Sequence, residues 1–148
     1  MAGVKIVVGT VYGTATEVAY GCVRQLTELG HHPALLKSAD YGQLIDDALD
    51  VVLVITSTTG DGEIPDDILP LYEALEQRMP ALSQARFGVI ALGDSGYENF
   101  AEAGVQFVAL LQRTQAVAVG EPLFIDACET ADPEEAAALW LDEWAALL

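Results

Sequence analysis

The sequence predicts an α/β protein: one doubly wound, five-stranded parallel sheet with helices on both faces. Three observations predict it. Short continuous runs of β-branched and apolar residues alternate with stretches of helical spacing. The run "VVLVIT" (Val51 to Thr56) stays apolar up to its last position, as a strand covered on both faces should. Glycine- and hydroxyl-rich segments follow the first, third and fourth runs, and open α/β sheets bind their ligands at such strand ends.

The elements follow in order. "VKIVV" (Val4 to Val8) is a short continuous strand. Thr14 to Leu29 places Val18, Ala19, Cys22, Val23, Leu26 and Leu29 on one helical face, and Gly30 ends it. "HPALLK" is a second strand and Gln43 to Leu49 a short helix. After the third strand, Ile68 to Met79 has helical spacing through Leu69, Leu71, Tyr72 and Leu75, and Pro80 stops it. "RFGVIAL" (Arg86 to Leu92) is the fourth strand, and Phe100 to Leu111 a helix with Val105, Phe107, Val108 and Leu111 inward. "AVGEPLFIDA" supplies the last strand. Pro133 to Leu148 is the closing helix, with Pro133, Glu134 and Glu135 at its dipole's positive end. Strand–helix alternation demands parallel pairing with right-handed crossovers.

The 148 residues suffice for one domain spanning 1–148, with no linker or repeat, and an apolar content of 52% supports a packed core. No apolar run approaches the roughly 20 residues that span a bilayer. The start, "MAGVKIVVG", has neither a basic n-region with a long h-region nor a cleavage site and does not read as a signal peptide, so a cytoplasmic location is expected. Cys22 and Cys128 lack CxxC spacing and read as structural. His31 and His32 stand apart from other ligand types, so no metal site is expected. Twenty-three acids face six bases, a formal charge of −17. That field repels nucleic acid and anionic membranes and attracts basic partner surfaces, although it also serves simple solubility. All six bases precede residue 114, and eight acids follow.

Three loops carry the chemistry. "GTVYGTAT" (Gly9 to Thr16) runs from strand to helix, so its N–H groups and the helix N-terminus suit an anion. It is neither GxxxxGK[ST] nor GxGxxG, and the plainer alternative is a tight turn capped by Thr14 or Thr16. "TSTTGDGEIPDD" (Thr56 to Asp67) is longer and more polar than a plain connection needs, and brings Asp66 and Asp67 toward the next helix. "LGDSGYENF" (Leu92 to Phe100) is turn-rich and holds Tyr97, an aromatic placed to cover a planar ligand or simply to pack.

With "GTVYGTATEVA", "TSTTGDGEIPDD" and "ALGDSGYENF" in this order, the sequence resembles the flavodoxin family, and more closely its small MioC/YqcA-like members. The resemblance runs from the first strand to the closing "WLDEWAALL". It implies strand order 2-1-3-4-5 and a non-covalently bound FMN. Thr10, Val11, Tyr12, Gly13, Thr14 and Ala15 match the family's phosphate loop. Thr58, Thr59, Gly60 and Asp61 match the loop over the inner face and N5 edge of the flavin. Gly93, Asp94, Tyr97, Asn99 and Phe100 match the loop on the other face, with Tyr97 as the stacking aromatic. Two departures stand out. Thr59 occupies a position where flavodoxins often place tryptophan, and Ala15 stands where the phosphate loop usually has a second hydroxyl.

The implied function is one-electron transfer between an NADPH-dependent flavodoxin/ferredoxin reductase and basic-surfaced acceptor enzymes, by a monomeric carrier rather than an enzyme. Acids near the ring (Asp61, Glu63, Asp94, Glu98) would oppose added negative charge there. The alternatives are an FMN-dependent NAD(P)H oxidoreductase and a flavodoxin-like module that has lost tight FMN binding. A phosphoryl-receiver domain is excluded, because the first strand ends in Val7-Val8-Gly9 without clustered acids.

Overall fold

The computed structural model describes all residues except 37–39, 60–61 and 97–98. The chain runs β1 (Gly3–Gly9), α1 (Thr14–Glu28), β2 (His32–Leu35), α2 (Tyr41–Leu44), β3 (Val51–Thr56) and α3 (Leu69–Arg78). It continues through β4 (Arg86–Gly93), α4 (Glu102–Arg113), β5 (Val117–Ala118), β6 (Leu123–Asp126) and α5 (Pro133–Ala145). All pairings are parallel, in the order β2-β1-β3-β4-β5, with β6 also on β4.

Successive side chains of a strand face opposite sides, and β3 shows the consequence for the core. Val51, Leu53 and Ile55 join Ile6, Val18, Cys22, Leu26, Leu141 and Trp144 beneath α1 and α5. Val52 and Val54 join Leu71, Leu75, Phe87, Phe107 and Leu110 beneath α3 and α4. All six residues of β3 are buried: five are apolar, as a strand covered on both faces requires, and the sixth, Thr56, donates its hydroxyl to the Ser57 carbonyl at 2.9 Å. Gly30 adopts φ 88° just after α1, and Met79 adopts φ 41° just before Pro80, so both helices stop at the expected points.

Three elements and one side chain depart from expectation. The last strand is split: β5 pairs with Arg86 and Phe87 at one end of β4, and β6 with Ile90 to Gly93 at the other. Gly120 at φ 63° and Pro122, which has no N–H to donate, interrupt it, and Trp140 Nε1 donates to the Glu121 carbonyl in the break at 2.9 Å. The short helix is Tyr41–Leu44 rather than Gln43 to Leu49, because Asp40 accepts the Gly42 N–H at 3.0 Å and starts it earlier. Helix α4 begins at Glu102, since Ala101 at φ 55° breaks the regular backbone before it. Val105 is 43% exposed instead of inward. The small residues Ala103 and Gly104, with Phe107, Leu110 and Leu111, form the buried face and turn Val105 to the far side.

Candidate functional site

The loops at the carboxyl ends of β1, β3, β4 and β6 surround a cleft of about 590 Å³. That volume lies within the roughly 300–1,000 Å³ of small-molecule sites. Its first wall is the β1–α1 loop. Gly13 at φ 90° turns the chain into α1, and the Thr10 hydroxyl oxygen accepts the Gly13 N–H at 2.8 Å. The alternative of a threonine cap is not what forms, since α1 has no side-chain cap at all. Among the described residues, the N–H groups of Thr14, Ala15 and Thr16 therefore have no acceptor, and the helix dipole adds positive potential where they point. Val11, Tyr12 and Thr14 line the cleft, and Tyr12 is 94% exposed at its rim. Ala15 is fully buried in the core beneath α1 and is not among the residues that line the cleft.

The β3–α3 segment forms the second wall. The Ser57 N–H donates to the Gly9 carbonyl at 2.8 Å, which carries the β1–β3 pairing past the strand ends. Thr58 Oγ1 accepts the Ala103 N–H at 3.2 Å, tying this wall to the start of α4. Thr59 donates to the Glu63 carbonyl through both its N–H (3.0 Å) and its hydroxyl (3.2 Å). Gly62, at φ 92°, leaves room for Asn99, whose side chain fills the space a Cβ would need. Ser57, Thr58 and Thr59 line the cleft. Gly60 and Asp61 lie outside the described residues. Asp67 does not cap α3, whose N-cap is Ile68; its carboxylate reaches back to the first wall and accepts the Thr10 N–H.

The third wall follows β4. Gly93, Asp94, Asn99, Phe100 and Ala101 line the cleft, and Phe100 is half-buried. Tyr97 and Glu98 lie outside the described residues. Asp94 Oδ1 accepts the Gly96 N–H and the Cys128 thiol, each at 2.8 Å. Asp126 Oδ1 accepts the Ser95 N–H at 3.0 Å and the Cys128 N–H at 2.9 Å. The Ser95 hydroxyl and N–H, with the Cys128 N–H, hold the Asp126 carboxyl below its ordinary value. Asp94, Asp126 and Cys128 bring three ligand-type atoms within 4.8 Å of one another, and their hydrogen bonds splice the β4 loop to the segment after β6.

That segment is the wall sequence reasoning missed. Ala127, Thr130, Ala131 and Pro133 line the cleft, with Leu92 and Ile125 also lining it at the strand ends. The segment's sequence, "ACETADP", has no glycine motif to mark it as a ligand loop. Beside the cleft, Glu63, Asp66, Glu73, Glu76 and Glu102 line a second groove of about 700 Å³ with Tyr72. Burial and the Glu76 charge push the Tyr72 phenol up.

The sheet is doubly wound, and the cleft lies at the point where strand order reverses, beside the uncapped start of α1, the place where open α/β sheets take their ligands. Comparison with known proteins takes the assignment one step further. The family model described as Flavodoxin matches residues 6–140, and the chain belongs to the flavodoxin family, as a MioC/YqcA-like short-chain member. It is 42% identical over 148 residues to Flavodoxin YqcA of Escherichia coli (strain K12), covering 100% of this chain and 99% of the relative. It is 37% identical over 150 residues to protein MioC of the same strain, with the same coverage. Among solved structures it is similar to a mutant of flavodoxin from Pseudomonas aeruginosa, with TM-score 0.92 and 41% identity over 99% of this chain and 98% of that one. The flavodoxin of Streptococcus pneumonia TIGR4 is similar at TM-score 0.83 and 29% identity, over 99% of each chain.

Proposed function

We propose that the cleft holds FMN non-covalently and that the protein carries single electrons between an NADPH-dependent reductase and basic-surfaced acceptors. The observation that carries this reading is the uncapped start of α1. The N–H groups of Thr14, Ala15 and Thr16 have no acceptor among the described residues, and Thr14 lines a cleft walled by loops. A dianion is the ligand group that such a donor set suits, and no cation is needed.

The remaining walls fit the rest of the cofactor. Val11, Tyr12, Phe100, Leu92 and Ile125 offer apolar surface for a planar ring, while Ser57, Thr58 and Thr59 offer polar groups along one side. When bound, FMN supplies the redox chemistry; the protein supplies position, exclusion of water and field. Thr58 and Thr59 are held by their own bonds to Ala103 and Glu63, so this wall is shaped before any ligand arrives. The carboxylate of Asp94 in the third wall opposes further negative charge in the cleft. Tyr97, Gly60 and Asp61 stay in the proposal on the strength of the family resemblance.

Acids around the cleft mouth suit a basic partner. Glu63, Asp66, Glu73, Glu76 and Glu102 in the adjoining groove put negative charge beside the place where electrons would enter and leave. Titrating the protein with FMN, followed by flavin fluorescence, tests the cofactor. Quenching to one equivalent per chain is expected, and no quenching would sink the reading. Adding NADPH to the FMN-loaded protein should leave it oxidised until a reductase is supplied; steady NADPH oxidation by the protein alone would replace the carrier with an oxidoreductase.

A further inference from the structure

We propose that Asp67 sets how strongly the phosphate loop discriminates FMN from unphosphorylated flavin, by holding an unpaired negative charge on the loop's first N–H. The inference rests on the reading that the cleft holds FMN, and it concerns a residue outside the matched phosphate-loop motif.

The loop from Thr10 to Thr16 contains no cation, so its affinity for an anion comes from N–H groups, hydroxyls and the helix dipole. Two of its N–H groups are already committed. Gly13 donates to the Thr10 hydroxyl oxygen at 2.8 Å. Thr10 donates to a carboxylate: its N–H lies 3.1 Å from Oδ1 and 3.1 Å from Oδ2 of Asp67, which comes from the segment leading into α3. The bond therefore clamps the first wall of the cleft to the second, across 57 positions of sequence. It also brings a formal negative charge to a loop whose other donors suit a dianion.

That charge has no cationic partner among the described residues. The ion pairs found there are Lys5 with Asp46 and Arg86 with Asp50. Asp67 is exposed, so its field is screened but not neutralised. A phosphate on the neighbouring N–H groups meets this repulsion; a flavin without phosphate does not. The arrangement weakens the grip on the phosphate while preserving the loop's shape, so the loop discriminates less between the two flavins than its donor count allows.

Asp67→Asn separates charge from shape, because the amide oxygen still accepts the Thr10 N–H. Kd values for FMN and for riboflavin, each measured by fluorescence quenching, read the two contributions apart. The expected result is FMN binding about fivefold tighter in Asp67→Asn, the scale of one screened like-charge contact, with riboflavin changed less than about twofold. Asp67→Ser, in which a hydroxyl oxygen accepts the same N–H without charge, should move FMN in the same direction. An equal shift for both flavins, no shift, or weaker FMN binding in both variants would show Asp67 to be a structural tie alone and overturn the proposal. Should the unaltered protein bind neither flavin, the FMN reading falls and this inference with it. Should it bind FMN while the variants fail the comparison, only the role of Asp67 falls.

Discussion

Thr14 is the first residue of α1; it lines the cleft, and its hydroxyl makes no hydrogen bond to another described residue. A side chain in that position is available to a phosphate and does little for the helix. Thr14→Ala should therefore weaken FMN binding by about 1–3 kcal/mol while barely moving the melting temperature. An unchanged dissociation constant would remove Thr14 from the site. Asp94 acts through its charge. Replacing it with Asn should raise the potential for the second electron, by about 1 kcal/mol after screening or about 40 mV, in a spectroelectrochemical titration. Cys22 shows what burial does to a thiol. Lost hydration pushes it from 9.0 to about 12, so the folded chain keeps a proton that the unfolded chain releases. Stability from this group is intact below pH 9 and declines as pH rises from there toward 12, by about 2 kcal/mol at pH 10.5. Urea unfolding of Cys22→Ala should lose that alkaline slope. In the native chain Cys128, which is exposed, should react with a thiol reagent while Cys22 stays silent.

Among the elements, α5 docks by close approach rather than by volume. Trp144, which is buried, lies over Gly88 in the middle of β4, and a Cβ on that glycine would sit 2.6 Å from the indole. Trp140 stacks on Trp144 at 5.3 Å. Gly88→Ala should cost about 1–3 kcal/mol through overpacking and alter the tryptophan emission; wild-type stability with unchanged emission would contradict this contact. The glycine itself was legible only as one letter in "RFGVIAL", since nothing local says which helix side chain crosses it. The same limit applies to α4. Apolar spacing placed Val105 inward, but the sheet accepts Ala103 and Gly104 there because small residues let the helix approach. In the last strand, "GEP" does hold the local signal for the break, a glycine and a proline two positions apart, although the flanking apolar residues outweighed it.

At the scale of the molecule, charge is sorted along the strand direction. Arg86 starts β4, Lys5 is in the first half of β1, Arg78 and Arg113 end α3 and α4, and each of these places lies away from the cleft. Lys5 and Arg86 are further tied up by Asp46 and Asp50, and Arg78 lies over the Tyr41 ring. With Asp66, Asp67, Asp94, Asp126, Glu129 and Asp132 around the opposite end, the protein has a negative pole at the cleft. Exchange with a basic reductase should slow at least tenfold as ionic strength rises from about 0.01 M to about 0.3 M. A flat response in stopped-flow kinetics would show that steering by this pole is not used.

Sequence alone determined the strand–helix alternation, the parallel sheet and the three loops, because those depend on local periodicity and on residues adjacent in the chain. It also pointed to Thr14, Thr58, Gly93 and Asn99 as lining a site at the strand ends, where the structure brings them together. Tertiary structure decided what depends on distant segments meeting. The fourth wall from Ala127 to Pro133 exists only because β6 lies beside β4, and Asp94 and Cys128 share a bond only through that pairing. The Thr10–Asp67 clamp likewise forms only when β1 lies against β3. A hydrogen bond between residues far apart in sequence leaves no trace in either residue's own neighbourhood; the fold must first supply the proximity.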